Sequence, residues 1–258
     1  MLTQKLYQVE KIEDLNDSDC KSKSISVIRE INNILSNIKN VSEDEVIKII
    51  STLRILNKTD YIFFATIFDS VIKDFLECLS SSNIKISLNA LTLVNEIFEI
   101  VQIQFIENWI ICLIGKITDI LNYCNQKHNE AEFSLLRKLA VDTLKKISVG
   151  AYTPITIESF IFMLLKNITT DSTQSLLDCT ILSINNFDTL NFFSILHLTV
   201  LLDNIITLNE EGELGKQYAN IILNSFTNIL TVEQLEETYE CLADLGYQYK
   251  DNSLFKMN

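Results

Sequence analysis

The chain has 258 residues, of which 47% are hydrophobic and 21% are charged, and its formal net charge is −13 at pH 7. Such a composition supports a sizeable core and lies outside the range of disordered proteins. The chain contains five glycines and one proline, where average usage gives about 18 and 13. This shortage disfavours all-β folds and glycine-rich nucleotide sites, and the acidic excess disfavours nucleic acid as a partner. An all-α protein is therefore predicted.

The chain is predicted to form one helical domain over residues 24–258, preceded by a polar N-terminal arm over residues 1–23. Apolar residues recur at steps of three and four, as on one face of a helix, and no Gly-, Pro- or Ser-rich linker interrupts them. Ser42 with Glu45 has the pattern of a capping box, and Asp171 and Asp188 are predicted N-caps. The predicted helices are 24–39, 43–57, 60–79, 83–101, 104–124, 130–148, 154–168, 173–187, 189–208, 213–229 and 231–247.

Two features of the sequence bear on its cellular compartment. The most apolar segment, Leu190–Leu208, is long enough to cross a bilayer but contains Asn191, His197, Asp203 and Asn204. A buried helix without membrane association is therefore predicted. The six cysteines form no C-x-x-C pair and are interpreted as reduced thiols, which indicates a cytoplasmic protein.

An internal repeat is the most specific feature of the sequence. A small or short polar residue recurs at spacings of 39 to 50 residues, at Ser51, Ala90, Ala140, Thr180 and Ala219. Aliphatic residues follow four positions later, at Ile55, Val94, Leu144, Ile184 and Leu223, whereas Gly215 and Lys58 break the pattern at other flanking positions. A small residue lets the second helix of a hairpin approach its neighbour closely. The repeat predicts an α-solenoid of stacked antiparallel helical hairpins, HEAT/armadillo-like, with about five repeats.

Residues suited to catalysis are sparse. The only histidines are His128 and His197, which disfavours a multi-histidine metal site. Cys124 and His128 form the only candidate thiol–base pair, and the competing interpretation is a buried thiol near a solvated histidine. No glycine-rich phosphate loop or hydrolase motif occurs. We predict no enzymatic activity, no cofactor and no metal. Trp109, the single tryptophan, is predicted to lie in the core.

The repeated unit, a polar turn followed by V-x-x-x-A-x-x-x-L-x-x-I, resembles the TOG domain, a HEAT-type array of microtubule regulators. The resemblance spans about residues 24–230 and is closest in kind to the CLASP and ciliary crescerin versions. The resemblance rests on the segments 80–94 (SSSNIKISLNALTLV), 130–144 (EAEFSLLRKLAVDTL) and 151–161 (AYTPITIESFI). It implies a non-enzymatic protein-interaction module in the cytoplasm, at the cytoskeleton or cilium, whose turns bind tubulin or a microtubule or ciliary assembly.

The resemblance also assigns the binding surface to turns within each hairpin, here 41–45, 80–85, 126–132, 169–174 and 209–213. The partner-binding residues it implies are Ser82, Asn83, Lys85, Lys127 and Asp171. The TOG pattern places tryptophan in the first turn and basic residues in the others. This chain instead has Asp44 and Glu45 in the first turn and N-E-E-G-E in the fifth.

Because tubulin is acidic, these acidic turns keep a second prediction open. It is an acidic HEAT-type adaptor or assembly chaperone that binds a basic protein partner unrelated to microtubules. Basic character confined to the turns favours tubulin, whereas an acidic groove favours a basic partner. The sequence leaves the oligomeric state open.

Overall fold

The structure is a computed structural model that describes residues 28–38, 40–101, 103–126, 131–150, 154–168, 174–185 and 195–257. The chain divides into two compact units, Met1–Thr143 and Leu144–Asn258. Each unit is described by itself, and the single domain expected over 24–258 stays a prediction.

The described residues are mostly helical, which confirms the all-α class in its coarse form. Residues 28–35 are helical and are named α1. The other helices are α2 (Glu43–Thr59), α3 (Tyr61–Leu79), α4 (Ile84–Ile100), α5 (Ile103–Gln126), α6 (Ala131–Ser148), α7 (Pro154–Asn167), α8 (Gln174–Asn185), α9 (Ile195–Glu210), α10 (Glu213–Thr227) and α11 (Val232–Asp244). Two strands follow, β1 (Tyr247–Lys250) and β2 (Ser253–Lys256).

Short polar side chains start several of these helices. The predicted capping box is present at α2, where the Ser42 hydroxyl accepts from the Glu45 N–H and the Glu45 carboxylate accepts from the Ser42 N–H. Thr231 and Gln234 form a second capping box at α11. The predicted N-caps Asp171 and Asp188 lie outside the described residues.

The first unit is built around an aromatic cluster between α3 and α5. The Phe68 ring centroid lies 5.1 Å from that of Phe64, 5.0 Å from that of Phe75 and 4.9 Å from that of Trp109. Trp109 is 3% exposed, and its Nε1 donates to Asp69 at 3.0 Å. The core position predicted for Trp109 is therefore confirmed. Within this unit α2 packs on α3 and α4, and α3 packs on α4 and α5.

In the second unit, α7 packs on α8 and α9, α8 packs on α10, and α9 packs on α10 and α11. Gly215 marks a close approach between α9 and α10. A Cβ added at Gly215 would lie 2.2 Å from the Leu208 carbonyl oxygen. The glycine that breaks the sequence repeat thus removes a side chain where one helix meets the backbone of the preceding helix.

Four of the five small repeat residues are fully buried, namely Ala90, Ala140, Thr180 and Ala219. The exception is Ser51, which is only half-buried. The α2 helix buries the stripe Val46, Ile49, Ile50, Leu53, Leu56 and Asn57 instead. Ile55, expected in the core, is 52% exposed. The repeat register assigned to α2 was therefore wrong, because the buried face of this helix is rotated away from Ser51.

The C-terminal β-hairpin corrects the predicted helix 231–247. Gly246, with φ of 83°, has the left-handed conformation that ends helices, and α11 stops at Asp244. Asp251 (φ 48°) and Asn252 (φ 58°) then form a two-residue turn of the type I′ kind between β1 and β2. The strands pair antiparallel, with Tyr247 opposite Lys256 and Lys250 opposite Ser253. The scarcity of glycine therefore did not exclude a tight hairpin, because Asp and Asn tolerate positive φ.

Candidate protein-interaction site

Ser80–Asn83, here called the serine turn, connects α3 to α4 and contains two of the predicted binding residues. Ser80 and Ser82 are exposed, whereas the Ser81 hydroxyl accepts from the Asn83 N–H at 3.2 Å. Below the turn, the buried Ser87 hydroxyl donates to the Leu79 carbonyl at 2.9 Å. The first bond lies within the turn, the second joins α4 to the end of α3, and Ser82 is left exposed.

Glu43, the first residue of α2, contacts both Asn83 and Lys85. The Asn83 carboxamide caps α4 by accepting from the Lys85 N–H at 3.0 Å, and its Nδ2 donates to Glu43 at 2.7 Å. The Lys85 ammonium lies 3.4 Å from the same carboxylate. The hydrogen bond from Asn83 lowers the pKa of Glu43, and Lys85 acts in the same direction. The structure therefore brings Asn83 and Lys85 together, with the lysine charge partly compensated.

Grooves open on both sides of the serine turn. One groove, of about 490 Å³, has two carboxylates in its lining, Glu43 and Glu77. We name it the Glu43 groove; its apolar lining is Ile38, Val41 and Ile86. The other groove, of about 440 Å³, is mainly apolar and includes Lys116, Asp119, Tyr123 and Phe133. The Glu43 groove therefore adjoins two predicted binding residues: Asn83 lines it, and Lys85 is paired with Glu43.

The remaining predicted binding residues, Lys127 and Asp171, lie outside the described residues. Of the five positions assigned from the resemblance, the described part of the chain thus contains Ser82, Asn83 and Lys85. Glu43 belongs to the turn 41–45 that the resemblance assigns to the binding surface, but it was not among the named binding residues. Its place in the run Glu43–Asp44–Glu45 marked a helix start, but nothing local indicated that it reaches a turn 40 residues away.

Asn209–Glu213, here called the acidic turn, connects α9 to α10 in the second unit. Glu210 accepts from the Tyr247 hydroxyl and from the Lys256 ammonium, the latter at 3.0 Å. The Tyr247 hydrogen bond lowers the pKa of Glu210, and Lys256 contributes to the same shift. The Lys256 ammonium also lies 5.7 Å from the centroid of the Tyr247 ring. The acidic turn therefore contacts the hairpin that the sequence analysis missed.

The candidate nucleophile Cys124 is buried, and burial raises the pKa of its thiol. The Arg137 guanidinium donates to the Cys124 backbone carbonyl at 2.9 Å. His128, the proposed base, lies outside the described residues. A raised pKa keeps the thiol protonated at neutral pH, and the protonated thiol is the unreactive form.

Neither a metal-ligating cluster nor a membrane-spanning helix occurs among the described residues. They contain no cluster of three or more His, Cys, Asp or Glu side chains arranged to hold a metal ion. They also contain no helix with the length and apolar character needed to cross a membrane. Neither protein-family models nor curated proteins provide a match to this chain.

Proposed function

We propose that this chain is a non-enzymatic helical-repeat module that binds a basic protein partner through the turns between its helices. The observation that carries the proposal is the charge of the described turns. The Glu43 groove has two carboxylates, and the Lys85 ammonium beside it is already paired with Glu43. At the acidic turn, Lys216 is likewise paired with Glu213 at 2.7 Å. Acidic grooves attract cationic partners and slow the approach of anionic ones.

The packing order within each unit supports the repeat architecture. In the first unit α2 packs on α4 and α3 packs on α5, so both pairs join helices two positions apart in the chain. In the second unit α7 packs on α9 and α8 packs on α10 in the same way. Stacked hairpins produce this order, because each hairpin buries its apolar face against the next. We therefore extend the proposal to a HEAT/armadillo-like solenoid.

The buried state of Cys124 supports the non-enzymatic part of the proposal. A nucleophilic thiol needs a lowered pKa and access to substrate. Cys124 has the opposite properties, since it is fully buried and its pKa is raised.

The proposal is tested with two short fluorescein-labelled peptides of equal length, one rich in Lys and Arg and the other with Glu in their place. Anisotropy is measured at about 150 mM salt, where the Debye length is about 8 Å. The basic peptide is expected to bind saturably and the acidic one not at all. Failure of the basic peptide to bind contradicts the proposal.

A matched pair of variants separates groove binding from general charge attraction. Glu43→Gln with Glu77→Gln removes both carboxylates of the Glu43 groove, whereas Glu236→Gln with Glu240→Gln removes two exposed carboxylates of α11. The net charge of both variants is the same. The first pair is expected to weaken peptide binding more than the second.

Tubulin is the second candidate partner, and the exposed Lys85 favours it because 69% of its side chain is accessible. The test is co-sedimentation with microtubules and size exclusion with free tubulin, at about 50 and 150 mM salt. Binding that is lost in a Lys85→Glu, Lys127→Glu variant, but kept in Lys138→Glu on the exposed face of α6, supports this candidate. No binding at either salt concentration rejects it.

A further inference from the structure

The mainly apolar groove beside the serine turn, of about 440 Å³, lies wholly within the first unit. We name it the Lys116 groove. The serine turn and side chains of α3, α4, α5 and α6 line it, and the aliphatic ones are Leu79, Ile84, Ile120 and Leu136. Concave apolar sites of this size are typical of small-ligand pockets, in which a few polar groups orient the ligand.

Two aromatic rings also line the Lys116 groove. The Tyr123 and Phe133 ring centroids lie 5.5 Å apart in an edge-to-face arrangement. Phe133 is buried, whereas Tyr123 is 48% exposed. The contact with Phe133 positions the Tyr123 ring at the groove, and a ligand that covers this ring removes further apolar surface from water.

Lys116, on α5, is the cationic group among the described residues that line the groove. It is half-buried, and no described residue pairs with its ammonium. Asp119, three positions along the same helix, also lines the groove but is exposed and forms no ion pair with Lys116. A half-buried ammonium has lost part of its hydration, so it gains more from a bound anion than the solvent-screened carboxylate loses. The groove therefore favours a ligand with one negative charge.

The serine turn acts in the same direction. Ser80 and Ser82 line the groove with exposed hydroxyls, which are able to donate to an anion. The α4 helix begins there at Ile84 and has no acidic residue in its first turn, so its N-terminus also favours negative charge. Glu43 and Glu77 line the Glu43 groove and not this one.

We infer that the Lys116 groove binds a small amphipathic carboxylate, with its hydrocarbon body against the apolar lining and its carboxylate at the Lys116 ammonium. The site is distinct from the Glu43 groove, so the inference goes beyond the proposed function and does not rest on it. The apolar lining by itself accepts any hydrocarbon of suitable size. Lys116 adds a preference for negative charge, and this preference is what the test measures.

The test titrates octanoate and the uncharged octanol into the protein with isotope-labelled isoleucine and leucine methyl groups, followed by NMR. Saturable shift changes are expected at Ile84, Ile120 and Leu136. The dissociation constant of octanoate is expected to be about 1 mM or below. Octanol is expected to bind about fivefold to tenfold more weakly, because it lacks the charge-assisted hydrogen bond.

Charge variants assign the preference to one side chain. In Lys116→Gln the dissociation constant of octanoate is expected to rise about fivefold to tenfold, with that of octanol unchanged. Lys138→Gln, an exposed lysine of α6 outside the groove lining, is the matched control and is expected to bind octanoate as the wild type does. Asp119→Asn removes the opposing charge and is expected to strengthen octanoate binding about twofold. Thermal melts confirm that every variant is folded.

Three outcomes overturn the inference. Equal affinity for octanoate and octanol shows that the groove takes apolar groups of any kind, such as a side chain of a protein partner. Unchanged octanoate affinity in Lys116→Gln, or an equal loss in Lys138→Gln, removes the role of the lysine. Shift changes that do not saturate, or that lie outside the groove, remove the site itself. None of these outcomes changes the expected binding of the Lys/Arg-rich peptide, which tests the proposed function separately.

Discussion

Gly215 shows how a single missing side chain permits close packing of two helices. A Cβ at this position would approach the Leu208 carbonyl oxygen to 2.2 Å, and backbone cannot move aside as a flexible side chain can. The better helix propensity of alanine, about 1 kcal/mol, is therefore outweighed by the overlap. At residue 215, α10 contacts the backbone of α9 rather than its side chains.

Replacement of Gly215 by alanine is expected to lower the free energy of unfolding by about 1 to 3 kcal/mol, a usual cost of overpacking. Urea denaturation measures the change. Gln217→Ala, on the exposed side of the same helix, is the matched control. A Gly215→Ala variant as stable as the wild type would show that α9 and α10 are farther apart than described.

Cysteine reactivity is a second property set at the level of single residues. Burial, reinforced by the nearby Glu77 and Asp74 carboxylates, raises the pKa of Cys78 to about 12, and burial raises that of Cys179 to about 11. Cys112 is exposed on α5. The reactive species is the thiolate, so the raised pKa values and the burial of Cys78 and Cys179 slow their reaction, whereas access favours Cys112.

Labelling of the folded protein with a maleimide is expected to modify Cys112 before Cys78, Cys124 and Cys179, which react only after unfolding. Peptide mapping by mass spectrometry identifies the labelled sites. Labelling of Cys124 as fast as Cys112 would contradict its buried state and revive the nucleophile hypothesis.

At the scale of elements, one carboxylate joins α2 to α4. Glu96 on α4 accepts from Arg54 Nε at 2.8 Å and from Arg54 Nη2 at 2.6 Å, and the Lys58 ammonium lies 2.9 Å away. The Glu96 side chain is 14% exposed. The Arg54 hydrogen bonds lower the pKa of Glu96 from its usual 4.5, against the opposing effect of burial.

Because the folded-state pKa of Glu96 is lowered, its contribution to stability is present above about pH 4.5 and is lost as pH falls through the folded-state value. Glu96→Gln is expected to cost about 1 to 2 kcal/mol at neutral pH, as for a partly buried charged hydrogen bond. The gap between wild type and variant should close on acidification. Asp142→Asn, an exposed carboxylate in the same unit, is the control. A gap that stays constant down to about pH 3 would assign the loss to packing alone.

The elements also show which features a sequence can reveal. The capping box of Ser42 and Glu45 involves residues three apart, so its pattern is visible in the chain itself. The serine turn and Glu43 meet across 40 residues, and helical periodicity does not specify which side chains of different helices pair.

The hairpin was missed because glycine was treated as the indicator of a turn. The available signal was Asp251–Asn252, which follows Tyr247 and Tyr249 on one strand and precedes Leu254 on the other.

The candidate site likewise has some features that the sequence predicted and others that it did not. The exposed turns were predictable as connections between helices, and Lys85 was identified from a resemblance. Its pairing with Glu43 was not predictable, and this pairing changes the expected charge of the surface.

At the scale of the whole molecule, the net charge is −13, and acidic residues lie at described turns in both units. The Glu43 groove lies within the first unit, and the acidic turn lies within the second. Since each of these two sites is formed by residues of one unit, each can be altered separately while the other serves as an internal reference.

The most direct test of the account compares two partners at about 150 mM salt. The protein is titrated with the Lys/Arg-rich peptide by anisotropy and is mixed with free tubulin on a size-exclusion column. The basic peptide is expected to bind saturably, and no complex with tubulin is expected. A stable tubulin complex with no peptide binding would contradict this expectation and assign the turns to tubulin.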